Sequence, residues 1–360
     1  MVYRNNEPYN DLPLLPPAAA LETTAVLRRC ITASRALAEL KGAGNLIPNQ
    51  AILINTIPLQ EARLSSEIEN IVTTQDALFR AAASEPAHAD PATREVLRYR
   101  TALRRGYDAL PTRRIDIDLI IEVCRVLSDG PAPLRDEEPI LIEDVAAGQA
   151  VYTPPRGRAR IVALLQNLTD FLRGPGDLDP LIRIAVAHYQ FEAIHPFVDG
   201  SGRTGRILNI LALVQAGLLE IPVLYLSRYI IRNKAEYYRR LRGVTERGAW
   251  EEWLLYMLAA VEENAAWTTG RILAIRALFD ATTERCRREL PGRVYSKELM
   301  ELIFTQPYVK VKFVVEAGVA ERKTAAGYLH ALEQIGVLVG EKRGREVIYR
   351  HPALLEVLSA

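Results

Sequence analysis

The sequence predicts a mainly α-helical protein with one small β-hairpin in its middle and a winged helix-turn-helix at its end. Three observations carry this. Apolar residues recur at helical spacing through most of the 360 residues, β signals are confined to residues 149–155 and 338–350, and Gly/Pro punctuation separates the segments with no fixed-period repeat. In order, residues 1–17 hold Pro8, Pro13, Pro16 and Pro17 and read as an extended arm lying on the body of the protein. Leu21, Val26, Leu27, Ile31, Leu37 and Leu40 make a helix of residues 18–40, stopped by Lys41-Gly42-Ala43-Gly44-Asn45. Shorter helices are expected at 49–56 and 59–73, a longer one at 93–110 after a loop at 86–91, and another at 115–127, ended by Ser128-Asp129-Gly130-Pro131. Residues 149–155, between Gly148 and Gly157, give the hairpin. Helices follow at 159–172, 180–194, 203–216, 227–242 and 250–279. The tail reads as helices at 296–304, 310–317 and 321–335, then strands at 338–339 and 347–350 around a charged tip.

Composition bounds the function. Lys+Arg number 45 against 44 Asp+Glu, a net charge of +1, so no bulk field gathers nucleic acid or an anionic membrane, and any anion site must be local. The longest apolar run, residues 207–219, is interrupted by Asn209 and Gln215 and falls short of the roughly 20 residues of a membrane span. Cys30, Cys124 and Cys286 are far apart and not in metal-ligand pairs, which suits a reducing compartment. With no secretory signal in the N-terminal residues, a cytoplasmic location is expected.

The chemistry concentrates in His195-Pro-Phe-Val-Asp199-Gly-Ser-Gly-Arg203-Thr-Gly-Arg206, a glycine-rich loop between two helices. Gly200 and Gly202 let backbone approach a bound group, and free N–H groups at a helix start make a concave anion site. Arg203 and Arg206 fall in the first turn of the expected helix, where the dipole disfavours cations by about 0.3–1 kcal/mol each unless an anion compensates. Asp199, without a basic partner in sequence, suggests a divalent cation shared with phosphates, most simply Mg2+. His195 has the ordinary pKa of a general base acting on a hydroxyl. Gly200-x-Gly202-x-x-Gly205 also fits the dinucleotide fingerprint, but that motif follows a strand, and residues 181–194 are helical. His188, two turns before His195, reads as a buried, hydrogen-bonded histidine rather than a co-ligand.

These residues resemble the Fic family hallmark, His-x-Phe-x-Asp/Glu-Gly-Asn-Gly-Arg-x-x-Arg. The resemblance implies a Fic-type helical bundle core and transfer of AMP from ATP onto a protein hydroxyl, with release of pyrophosphate. His195 would be the base, Phe197 the anchor of the loop and Asp199 the magnesium ligand. Gly200, Ser201 and Gly202 would cradle the α- and β-phosphates, Arg203 would meet the β-phosphate and Arg206 the γ-phosphate, with Thr204 and Gly205 in the same nucleotide-binding segment. Ser201 departs from the family's Asn; a serine hydroxyl is shorter but still donates one hydrogen bond.

A second match, Ser65-Ser-Glu-Ile-Glu69-Asn70, resembles the family's inhibitory pattern Ser/Thr-x-x-x-Glu-Gly/Asn. It implies that Glu69 pairs with Arg206 in place of the γ-phosphate, with Ser65 and Asn70 completing the pattern. Val151-Tyr152-Thr153 resembles the flap that holds a target by strand addition. The segment 227–238 resembles the helix bordering the adenine, with Tyr238 the first candidate for contact and Asn233 the second.

The expected organisation is an N-terminal helical region at 1–110 carrying the inhibitory helix, a Fic catalytic core at 111–262, and a linker helix with the winged helix at 263–360. The last seventy residues hold ten Lys/Arg and eight Asp/Glu, a weak footprint for DNA, although Lys342, Arg343 and Arg345 at the wing tip offer phosphate contacts. Expected partners are a protein with an exposed Tyr, Thr or Ser hydroxyl, the chain itself as target, a second copy in a homodimer and DNA at the tail, but no membrane. Two other functions compete: transfer of UMP, phosphocholine or a phosphoryl group, and a non-catalytic, nucleotide-responsive DNA-binding regulator in which Ser201 has crippled transfer.

Overall fold

A computed structural model describes residues 3–83, 89–136, 140, 142–144, 149–174, 177–292, 294–343 and 346–359. The N-terminal helices are α1 (Thr24–Gly44), α2 (Ala51–Ile68), α3 (Gln75–Ala82) and α4 (Pro91–Ala109), followed by α5 (Ile117–Ser128). A hairpin of β1 (Ile142–Asp144) and β2 (Gln149–Tyr152) precedes α6 (Arg158–Arg173), α7 (Pro180–Ile194), α8 (Ser201–Gln215), α9 (Leu226–Arg232), α10 (Lys234–Arg247) and α11 (Trp250–Glu289). The tail comprises α12 (Lys297–Thr305), β3 (Tyr308–Lys310), α13 (Val311–Glu316), α14 (Arg322–Gln334), β4 (Val339–Arg343), β5 (Glu346–Arg350) and α15 (Pro352–Ser359).

Side-chain caps set many helix starts. Thr23, Thr74, Asp90, Asp116, Asp179 and Ser296 each accept a backbone N–H of the first turn, and Pro91 and Pro180 follow two of them where a missing N–H costs nothing. Several elements differ from the sequence reading. The break expected between residues 56 and 59 does not occur: α2 runs straight through Pro58, because burial of Ile52, Leu53, Ile57, Leu59 and Ala62 outweighs one lost hydrogen bond. The segment expected to be helical to residue 73 ends at Ile68, and α3 follows it separately. The helix expected at 227–242 is two helices, parted at Asn233, whose φ of −121° is not helical. The strand β3 is three residues long and α15 eight, too short for periodicity to reveal.

One continuous core runs through the described residues. The forty-residue α11 is its spine; it lies along α1, touches α7, α9 and α10, and continues to α12 and α15, so the expected boundary at 262/263 falls inside an unbroken helix. The tail sheet is antiparallel in the order β3-β5-β4, with Val339 and Tyr308 both opposite Arg350. It docks on the N-terminal helices: α12 packs on α2, Asn49 Nδ2 donates to Glu301 Oε2 at 2.9 Å, and the Tyr308 hydroxyl donates to Asp76. Arg345 and the side chain of Arg343, expected at the wing tip, lie outside the described residues. Among the described residues no helix is long and apolar enough to cross a membrane. The three cysteines are free and buried.

The proline-rich arm does lie on the body. Leu12 and Leu15 are buried, Asn167 clamps the backbone of Leu15 through both its N–H (2.7 Å) and its carbonyl (3.0 Å), and Gln190 Nε2 donates to Pro13 O at 2.8 Å.

Candidate active site

The helix α7 ends because His195 takes a left-handed conformation, φ 46°, which turns the chain out of the helix and aims the imidazole at a cavity. Phe197 is buried beneath the loop, and Gly200, φ 80°, turns the chain back to start α8. Nothing side-chain-borne caps α8, so the start of the helix presents free N–H groups. Arg135 locks this geometry. Its guanidinium donates to the carbonyls of His195 (2.6 Å), Ile194 (3.0 Å) and Pro155 (3.1 Å), and its own N–H reaches Pro196 O at 2.9 Å. No motif marks Arg135, which lies sixty residues upstream in an irregular stretch.

Burial, and then the nearby Arg135 charge, push the His195 imidazole down to about 4, so it is neutral at pH 7. Its Nδ1 is buried without a partner, leaving Nε2 as the nitrogen open to the cavity.

The cavity, of about 790 Å3, is bounded by the end of α2, the flap, the end of α7, the start of α8 and the face of α10. Across it Glu69 meets Arg206. The carboxylate Oε1 accepts from Arg206 Nη2 at 2.8 Å, while Arg206 Nε donates to Ser65 Oγ (2.7 Å) and Nη2 to Ser65 O (2.9 Å). Burial opposes both charges; each overcomes it for the other, and the Glu69 carboxyl sits below the usual range while the Arg206 guanidinium sits above it. A Cβ built on Gly202 would come within 2.5 Å of Glu69 Oε1, so the carboxylate rests directly on the glycine cradle. Asn70 explains this pose. Its φ of 63° closes α2, with the Asn70 N–H reaching Glu67 O and the Ile71 N–H reaching Ser66 O, both at 3.0 Å. That is the Schellman termination, which needs a residue tolerant of the left-handed region.

Several candidates fall elsewhere. Arg203 is buried and is not among the residues lining the cavity, pairing with Glu95 Oε1 at 2.5 Å and with both oxygens of Asp199 at 3.2 Å. Asp199 therefore has a basic partner, one helical turn on, which the sequence reading denied it. Because α8 starts at Ser201, Arg206 lies in its second turn, not its first. The Ser201 hydroxyl is turned inward, donating to Phe197 O and accepting from Phe197 N, both at 3.0 Å, so it is spent on the loop instead of facing a phosphate. Thr204 is fully buried, and Gly205 is a packing position: a Cβ there would meet Glu192 Oε1 at 2.5 Å and Phe191 at 2.9 Å. Asn233 donates to Tyr229 O at 3.0 Å and does not line the cavity; Tyr238 does. In the flap, Val151 and Tyr152 line the cavity, whereas Thr153 is buried against the arm, its Oγ1 donating to Asn5 O (2.7 Å) and its carbonyl accepting from Tyr9 N (3.0 Å). His188 is a core histidine bonded to the Tyr237 hydroxyl at 2.9 Å.

Two lining groups carried no sequence signal. Lys234 reaches the end of α2, donating from Nζ to Ile68 O at 2.6 Å. Glu192 sits behind Arg206, its Oε1 buried without a partner, and burial pushes its carboxyl up to about 7. Among the described residues no three His, Cys, Asp or Glu side chains gather as a metal-binding group.

Three family models match the chain in succession: Fic/DOC family N-terminal at residues 27–108, Fic/DOC family at 114–213, and the C-terminal domain of protein adenylyltransferase SoFic-like at 278–354. The chain is 32% identical over 129 residues to protein adenylyltransferase fic-1 of Caenorhabditis elegans, covering 35% of this chain and 23% of that protein. It is 33% identical over 103 residues to a probable protein adenylyltransferase of Aquifex aeolicus, 29% of each chain. The matched part thus spans about a quarter of the length of these curated relatives. Among solved structures, a Fic family protein from Desulfovibrio desulfuricans G20 superposes with a TM-score of 0.57 at 21% identity, covering 93% of this chain and 98% of that one. Fic-1 from C. elegans does so at 0.52 and 22%, over 69% and 73%. With the hallmark loop set between α7 and α8 and the three models matching in succession, the chain belongs to the Fic family.

Proposed function

We propose that this chain is a protein adenylyltransferase held in check by Glu69. The observation that carries the reading is the carboxylate lying on Gly202 and Arg206, an anion already seated where an anionic group of a nucleotide would go. With Glu69 displaced, ATP extends from the α8 N-terminus toward Tyr238, with Arg206 on its terminal phosphate. A Tyr, Thr or Ser hydroxyl of a protein attacks the α-phosphorus and gives its proton to His195 Nε2. A new O–P bond forms as the bond to the bridging oxygen breaks, and pyrophosphate leaves. The neutral His195 is in the state a base requires, and the helix N-terminus stabilises charge developing on the phosphoryl oxygens.

Asp199 suits Mg2+ in the way that ion is usually held beside nucleotides, by one or two carboxylates with the rest of its shell from water and phosphate. Its side chain is 72% exposed and its carboxylate accepts from Arg203 Nη2 at 3.2 Å. The ion would neutralise phosphate charge there.

The test is incubation of the full chain with α-labelled ATP, comparing wild type, Glu69→Gly and His195→Ala. Label that depends on His195 and rises in Glu69→Gly supports the reading. Absence of label from every form, with ATP still bound, points instead to a non-catalytic regulator, which the inward-turned Ser201 hydroxyl favours. Mass spectrometry of the product separates AMP from UMP, phosphocholine or phosphoryl transfer. DNA binding by the tail is read from retention of a random duplex at two salt concentrations, and a homodimer from sedimentation.

A further inference from the structure

A second cavity, of about 300 Å3, shares no lining residue with the first. It lies where the N-terminal helices meet the tail, walled by α2, α3 and α4 on one side and by residues 305–308, from the last residue of α12 to the first of β3, on the other. Its walls are largely apolar, with Ile54, Leu59, Phe79, Leu103 and Pro307 among them. Two polar groups stand out against that lining. Arg100 has no hydrogen bond or ion pair among the described residues, and burial alone depresses its guanidinium. Gln306 Oε1 is buried with no donor.

The neighbouring carboxylates do not answer Arg100. Asp108 is held by Arg104 Nε at 2.8 Å through both oxygens, and Asp76 by Arg80 and the Tyr308 hydroxyl. No Asp or Glu is among the described lining residues, which carry two arginines. Gln306 Oε1, buried with no donor, is costly to the empty protein, and the half-buried Arg100 guanidinium has no protein anion among the described residues; a ligand that supplied a donor to the one and an anion to the other would remove that cost. We propose that this cavity binds a small carboxylate with an apolar body and a hydroxyl. The carboxylate pairs with Arg100, the hydroxyl donates to Gln306 Oε1, and the apolar body fills the space between. The occupant would sit against α2, the helix whose far end carries Glu69. The site does not rest on the adenylyltransferase reading, and its test does not involve catalysis.

The probe is 4-hydroxyphenylacetate, titrated calorimetrically into the full chain, with 4-hydroxyphenylacetamide as its neutral counterpart. Saturable binding of the acid, weakened at least about tenfold in the amide and in Arg100→Met, is expected. Gln306→Leu should erase the preference for 4-hydroxyphenylacetate over phenylacetate. Thr101→Trp, at the rim, blocks the cavity by volume and keeps Arg100, so it should abolish binding while the thermal midpoint shows a folded chain. No saturable heat with the wild type, or equal affinity in Arg100→Met and Thr101→Trp, overturns the proposal.

Discussion

Glu69 holds Arg206 from an asymmetric position: its own side chain is 36% exposed and that of the arginine 2%. Water can therefore solvate the carboxylate as it leaves, while the guanidinium behind it needs a replacement anion at once. On the proposed reading, that asymmetry lets a phosphate take the place of the carboxylate. A hydrogen bond between charged groups contributes about 1.5–3 kcal/mol, so Glu69→Gly should raise the rate of label incorporation by roughly ten- to a hundredfold, measured at subsaturating ATP. The pH dependence belongs to the same residues. His195 is pushed down to about 4 from 6.5, so the acid limb of kcat/KM should fall well below pH 6.5, towards 4, with the neutral base present above it. A limb centred near 6.5 would show that His195 titrates as a solvated imidazole.

Helix α2 is held at more points than the ion pair. Glu61, two turns before Glu69 and fully buried, accepts from Ser227 N (3.0 Å), Ser227 Oγ (2.5 Å) and Tyr99 OH (3.2 Å), tying α2 to α9 and α4. Replacing Glu61 by Ala strands the buried donors of Ser227 and Tyr99. It should cost about 2–4 kcal/mol of stability in urea unfolding and raise basal label incorporation by loosening α2. A smaller loss with unchanged label would mean that the Glu61 cluster does not hold α2 in place. The arm acts on the flap. The Tyr3 hydroxyl donates to Val151 O at 3.2 Å and Tyr9 N to Thr153 O at 3.0 Å, so the arm holds one carbonyl of β2 and that of the residue just after it. Deleting residues 1–17 should lower the thermal midpoint and raise hydrogen exchange in β2, which among the described residues pairs with β1 alone.

Across the whole molecule, buried titratable groups set the response to acid. His188, His195 and His351 are depressed to about 3, 4 and 4, burial being the main cause in each. Between these values and 6.5 the folded chain binds fewer protons than the unfolded one, so this stability is present above pH 6.5 and lost as pH falls. Glu61 and Glu192 run the other way. Burial raises them to about 6 and about 7, so the folded chain binds more protons than the unfolded one above pH 4.5, and stability falls as pH rises through those values. The two trends oppose each other from about pH 4.5 to 6.5. Calorimetry should find a shallow slope of thermal midpoint there and a steep loss below 4.5. Glu192→Gln removes one opposing group, so its midpoint should rise with pH more steeply than wild type across that window; an identical slope would show that Glu192 ionises freely.

The sequence by itself determined the helical class and the glycine-rich loop, because local signals carry both, while the family and the pairing of Glu69 with Arg206 followed from resemblance to the family's patterns. Helical periodicity is a property of neighbours in the chain, glycines at 200 and 202 fit a backbone approached by an anion, and Asn70 suits a left-handed helix end. Tertiary structure decided the rest, since side chains choose partners by distance in space. That Arg203 is held by Glu95, 108 residues away, is visible only in the fold. Ser201 reads as a donor to substrate until its rotamer turns to Phe197, and Gly205 as part of the cradle until α7 packs against it. Pro58 reads as a helix end until burial on both sides carries α2 through it. Arg135 and Glu61 have no motif, for their roles exist only once distant backbone carbonyls, N–H groups and hydroxyls have been brought around them.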